Sequence, residues 1–193
     1  VKRFFKKLFR IDNTQMTPLE SLASLISGGS PEVMREVQNF ERSPQAYFDA
    51  LDENLKEDCS IESPSDISNT DVLIRALHES NFLAVADNSE EPLSVLEKLN
   101  RRAKNKLEKS THYEVLKKFY SQTEWGFGSL VGGPGSIAHN PDIFACAKDV
   151  QLAVLAINDD SDALILFVCA SSQRDGISSL SQQASIKLFF ENM

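Results

Sequence analysis

The sequence predicts an α+β fold: N-terminal helices, then a mostly antiparallel small sheet whose central hairpin, at about residues 150–170, is covered by helices. Three observations carry this reading. Two apolar runs, Gln151–Ile157 and Ala163–Cys169, have strand length and are joined by the turn-forming residues Asn158-Asp159-Asp160-Ser161-Asp162. Their apolar residues are nearly continuous instead of alternating, so both faces of the sheet should be covered. Near the N-terminus, Thr17-Pro18, Ser30-Pro31 and Ser43-Pro44 each put a hydroxyl residue before a proline, which is tolerated at the first helical position.

The elements follow in order. In residues 1–13, Val1, Phe4, Phe5, Leu8 and Ile11 recur at helical spacing, with Lys2, Arg3, Lys6, Lys7 and Arg10 on the other face. No apolar core of 7–15 residues follows these charges, so the segment does not read as a signal peptide. Thr17-Pro18-Leu19-Glu20 is a capping box, and its helix should stop at Gly28-Gly29. The Ser30-Pro31 and Ser43-Pro44 pairs open helices ending near Arg42 and Asp58. Residues 59–69 are polar, contain Pro64 and read as a loop between a helical region (14–58) and an α+β region (70–193), the two expected to share one domain. Thr70 is expected to cap a helix over Asp71–Ser80, followed by a short buried strand, Phe82–Ala86. Pro92–Glu108 reads as the longest helix, with Leu93, Leu96, Leu99, Ala103 and Leu107 on one face. Thr111-His112-Tyr113-Glu114 reads as a second capping box, opening a helix to Ser121. After a glycine-rich stretch, residues 123–140, Asn140-Pro141 should start a helix through Lys148. Beyond the hairpin, a helix over Ile177–Ala184 and a strand over Ile186–Phe190 complete the chain.

Composition narrows the class. With 41% hydrophobic and 25% charged residues the chain is globular, and no apolar run approaches the ~20 residues of a membrane-crossing helix. Cys59, Cys146 and Cys169 are odd in number and lack C-x-x-C spacing, and two of them lie in apolar stretches, which points to buried thiols without chemistry, a reducing compartment and no disulfide framework. The net charge is −8, yet the first ten residues hold five bases and no acid, which leaves 15 bases against 28 acids beyond them. A body this acidic disfavours nucleic acid and better matches a cationic protein.

No motif carries catalysis. Asn158, Asp160 and Asp162 alternate as in a calcium loop, but Ala163 and Cys169 stand where that loop needs glycine and glutamate. Asp159, Asp160 and Asp162 remain as turn formers, an acidic contact patch or an adventitious cation site. Gly132-Gly133-Pro134-Gly135-Ser136 lacks the lysine of a phosphate loop, and no strand precedes Gly133 as a dinucleotide fingerprint requires. The stretch reads as a turned connection or, alternatively, a ligand cradle over residues 126–140. A Cys146 nucleophile with His139 as base carries no local signature, and His78 and His112 lack metal-ligand spacing. Trp125, the single tryptophan, either plugs the core edge or anchors an interface. No metal site and no cofactor is expected.

Residues 14–193 resemble a family of uncharacterised bacterial domains, through Tyr47-Phe48-Asp49-Ala50-Leu51, Leu73-Ile74-Arg75-Ala76-Leu77, the Leu152–Ile157 run, Asp160-Ser161-Asp162 and Leu164–Val168. The resemblance implies an α+β fold and a bacterial cytoplasmic setting, and no activity or catalytic residue. The resulting expectation is a non-catalytic protein that binds another protein, in its sharpest form an acidic, immunity-type neutraliser of a cationic partner. Asp159, Asp160, Asp162, Trp125 and His139 are its candidate contact residues. The alternatives are an enzyme or small-molecule binder using the glycine-rich loop, and a membrane-peripheral protein. In the latter, Phe4, Phe5, Leu8 and Phe9 meet lipid beneath the Lys2, Arg3, Lys6 and Lys7 charges. The same segment alternatively docks on the acidic body or stays unstructured.

Overall fold

The computed structural model describes residues 16–86, 89–123, 126, 143–159 and 163–189. Helix α1 (Pro18–Ser27) starts as its capping box dictates: Thr17 Oγ1 accepts from the Glu20 N–H at 3.1 Å, and the Thr17 N–H donates to Glu20 Oε2 at 3.0 Å. It stops at Gly28, whose φ of 65° is open to glycine at no steric cost. Helix α2 (Pro31–Arg42) follows, and at twelve residues it is the longest described helix.

The single helix expected from Pro44 to Asp58 is two, α3 (Pro44–Ala50) and α4 (Glu53–Asp58). Leu51 turns to extended backbone and is buried, and the Asp52 side chain recaps the chain by accepting from the Asn54 N–H at 2.9 Å. Helix α5 (Asn69–Glu79) is capped by Ser68, not Thr70. Ser68 has an acid three residues on, so its hydroxyl accepts from the Asp71 N–H while Asp71 accepts from the Ser68 N–H at 2.8 Å. After strand β1 (Ala84–Ala86), helix α6 (Pro92–Arg102) ends well before Glu108. Lys104 and Asn105 adopt left-handed backbone, and a 3₁₀ turn, Leu107–Lys109, delivers Leu107 to the core.

Helix α7 (Tyr113–Tyr120) is not opened by a Thr111 box. Both the N–H and the hydroxyl of Thr111 donate instead to Asp149 Oδ2, at 2.7 and 3.0 Å. Helix α8 (Ile143–Asp149), strands β2 (Leu152–Asn158) and β3 (Leu164–Ala170), helix α9 (Arg174–Gln183) and strand β4 (Lys187–Phe189) complete the described chain. Helix α9 begins three residues earlier than Ile177, after a 3₁₀ turn over Ser171–Gln173.

The four strands form one antiparallel sheet in the order β1-β3-β2-β4. The expected hairpin is its centre, with Leu155 opposite Phe167 and Ile157 opposite Ile165. Alternate residues then part to opposite faces. Leu155, Ile157, Ile165, Phe167 and Cys169 join a core with Leu22, Val37, Leu73 and Ile177 from α1, α2, α5 and α9. Leu152, Val154, Ala156 and Leu166 join a second core with Leu96, Leu116 and Ile143 from α6, α7 and α8. The architecture is therefore helix–sheet–helix in three layers. That explains why the two strand sequences are apolar throughout: each face meets its own helices.

Helix α6 also fastens the β1 edge. Arg102 Nε donates to the Leu83 carbonyl at 2.9 Å, and Lys98 Nζ donates to the Val85 carbonyl at 3.1 Å while pairing with Glu90 at 2.7 Å. These two cations, one helical turn apart, lie along a short edge strand. Charged side chains at such an edge discourage pairing with another chain.

Candidate protein-binding surface

The three layers separate the charge. Residues 16–79, which supply α1–α5, carry 13 acids and 4 bases, whereas residues 92–123, which supply α6 and α7, carry 8 bases and 3 acids. The α1–α5 segment is thus at −9 and the α6–α7 segment at +5, which falls to +3 once Glu90, paired with Lys98, and Glu91, the residue before α6, are counted. The α6–α7 segment is the exception in a chain that is otherwise acidic beyond its first ten residues.

Within the acidic layer, Glu36 of α2 is the centre of a polar cluster. The Tyr47 hydroxyl donates to Glu36 Oε1 at 2.7 Å, and Arg75 of α5 lies 3.5 Å from that oxygen and 2.9 Å from Glu79 Oε1. The guanidinium stands over the Tyr47 ring, 5.6 Å from its centroid, and Phe40 meets the same ring edge-on at 5.4 Å. Burial, reinforced by the bond to Glu36, pushes the Tyr47 hydroxyl far above its ordinary pKa, so it stays a donor. Burial works against the charge of Arg75, but its bond to Glu79 and the neighbouring Tyr47 and Glu36 outweigh this and raise its pKa. Arg75 Nη1 is buried without a hydrogen-bond partner among the described residues.

Two depressions flank this cluster, and Glu36 lines both. One, of about 320 Å³, is bordered by Asn39, Arg42, Ser43, Tyr47 and Arg75. The other, of about 530 Å³, is bordered by Ser30, Glu32, Glu36, Glu79 and Ser80, with half-buried Phe82 among them. Carboxylates beside an aromatic ring suit a cationic side chain, which gains from both. Sequence reasoning missed this groove. Its acids are 47 positions apart between Glu32 and Glu79, and only the packing of α2 against α5 brings them together. A charge count taken segment by segment would have separated the acidic α1–α5 segment from the basic α6–α7 segment.

The residues singled out in the sequence fare differently. Asp159 is half-buried just beyond β2. Asp160, Asp162, Trp125, His139 and the basic segment with Lys2, Arg3, Phe4, Phe5, Lys6, Lys7, Leu8 and Phe9 lie outside the described residues, as does the glycine-rich loop apart from Thr123 and Gly126. Cys146 and Cys169 are buried free thiols, whereas Cys59, at the polar C-terminal end of α4, is exposed; burial pushes Cys169 up to about 11, which keeps it protonated and unreactive. Cys146 Sγ faces the Leu107 carbonyl at 3.8 Å. Among the described residues no group of three or more His, Cys, Asp or Glu is arranged to hold a metal ion, and no helix is long and apolar enough to cross a membrane.

Asp149 has a structural task. Its Oδ2 accepts from the Thr111 N–H, the Ser110 hydroxyl and the Thr111 hydroxyl, tying the end of α8 to the entry of α7. These bonds, the Thr111 N–H foremost, hold its carboxyl below the usual range. A carboxyl whose pKa is lower folded than unfolded stabilises fully above the unfolded value of about 4 and loses that contribution as pH falls through the folded value. Asp149→Asn should therefore lower stability at pH 7 and flatten the acid limb of a stability–pH curve below about pH 4. Denaturant midpoints measured from pH 2 to 7 check this.

A family model described as Domain of unknown function (DUF6630) matches residues 18–191. The chain belongs to this family. No curated protein and no solved structure matches it. The DUF6630 match begins at the first residue of α1 and takes in both helical layers and the sheet, while the basic segment 1–13 falls outside it. The α+β fold implied by the resemblance is the fold observed.

Proposed function

We propose that this DUF6630 chain acts without catalysis, by binding a cationic protein on its acidic α1–α5 layer, with the Glu32–Glu36–Glu79–Phe82 groove as the contact. The observation that carries the reading is the net −9 of residues 16–79, around a groove that gathers Glu32, Glu36 and Glu79 beside Phe82. Such a field raises the on-rate for a partner of opposite charge by roughly 10–1,000-fold and falls steeply with salt. In biological terms this fits an immunity-type neutraliser of a basic effector in a bacterial cytoplasm.

A ten-lysine peptide serves as the probe. Its affinity should fall sharply between 50 and 300 mM salt, and Glu32→Gln with Glu79→Gln should weaken it about tenfold, mainly through the on-rate. Affinity indifferent to salt, or unchanged in the double variant, would remove the basis for this function.

A further inference from the structure

The opposite layer is the less expected surface. Arg101 at the end of α6, Lys104, Lys106 and Lys109 in the connection, and Lys117 and Lys118 on α7 are all exposed. None of the six is ion-paired to a described residue, in contrast to Lys98, which is held by Glu90. On α7, between Glu114 and Lys117, Val115 is 59% exposed, one of two large hydrophobic residues left open among the described ones. Lys104 and its neighbour Asn105 stand in left-handed backbone, at φ 54° and 57°, in the turn that follows α6.

We propose that this α6–α7 face adsorbs to an anionic lipid surface. The net charge of −8 argues against it only at long range. The two helical layers stand roughly 20 Å apart across the sheet. A surface that approaches the basic face meets its lysines first, and in physiological salt, with a screening length of about 8 Å, the more distant acidic layer acts on it only weakly. A nearby negative surface meets the local +3 of residues 89–123 instead. The acidic layer is then repelled outward and fixes the orientation. Each lysine or arginine near such a surface contributes about 1 kcal/mol, or about fivefold in partitioning. An exposed valine on the same helix as Lys117 and Lys118 fits the interfacial region of a bilayer. It has no counterpart on a phosphate backbone. The inference is independent of the cationic-partner reading, which concerns the other layer.

The test is co-sedimentation of the full chain with vesicles of 70% phosphatidylcholine and 30% phosphatidylserine, against phosphatidylcholine alone, at 100 and 500 mM salt. Binding is expected only to the anionic vesicles and only at low salt. Lys104→Gln, Lys106→Gln and Lys109→Gln combined should lower partitioning about a hundredfold. Lys117→Gln with Lys118→Gln, on the folded helix α7, gives an independent loss of about 25-fold should the first variant unfold. Neutralising Lys2, Arg3, Lys6 and Lys7 should leave partitioning within fivefold. Equal binding to both vesicles overturns the proposal, as does indifference to the α6–α7 variants or loss confined to the N-terminal variant. So does binding to a 30-base-pair DNA duplex, or self-association, through these lysines in place of the vesicles.

Discussion

Phe167→Ala should cost about 3–5 kcal/mol of folding stability, read as a lowered urea midpoint. Phe167 is 0% exposed, sits opposite Leu155 in the central pair of strands and belongs to the core under α1, α2, α5 and α9. Removing the ring leaves a cavity that the sheet backbone is too constrained to close. The companion substitution is Leu166→Ala, one residue away on the other face, at 1% exposure in the core under α6–α8. It should cost about 2–5 kcal/mol in its own right. A sheet covered on one face only would make one of the two nearly neutral. Two large losses are the signature of three layers. Against a total stability of about 5–15 kcal/mol, either variant should populate unfolded chain at moderate temperature.

The second large effect is expected at the sheet edge. Lys98→Met with Arg102→Met removes the side chains that donate to the Val85 and Leu83 carbonyls, and leaves Glu90 without its lysine. Hydrogen bonds from charged donors contribute about 1.5–3 kcal/mol each, and both cations are partly buried, so a loss of about 2–4 kcal/mol is expected. The change in behaviour matters more than the magnitude. A short edge strand stripped of its two charges becomes a template for another chain. The double variant should aggregate with a concentration dependence that the wild type lacks. Light scattering at equal folded fraction separates this from simple destabilisation, and a variant that is destabilised yet stays monomeric would refute the edge role.

How much of this was legible in the sequence depends on the range of the interaction. The β2–β3 hairpin was legible because strand length, turn chemistry and continuous apolar character all agree locally. The α1 capping box was legible for the same reason: its two partners lie three residues apart. The break at Leu51–Asp52 was not, because Leu51 leaves the helix for a core assembled from distant elements. The Thr111 box failed because its hydroxyl and N–H go to Asp149, 38 residues on. Helix α6 read six residues too long because Leu107 keeps helical spacing with Ala103 yet reaches the core from a 3₁₀ turn. At the functional level, summing charge over the whole chain hid its polarity. Setting aside the first ten residues exposed the acidity of the rest, but treated α1–α5 and α6–α7 as one body. The contact residues expected at the hairpin turn were chosen for local crowding of acids, whereas the groove between α2 and α5 gathers Glu32, Glu36 and Glu79 only on folding.

The central claim is that a cationic partner docks on one layer of this molecule and not the other. Amide chemical-shift mapping of the full chain titrated with the ten-lysine peptide at 50 mM salt tests it most directly. The account predicts shifts at Glu32, Glu36, Glu79 and Phe82 that saturate together and vanish at 300 mM salt, with α6 and α7 silent. Shifts confined to the hairpin turn at Asp159, or spread evenly over both layers, would contradict it.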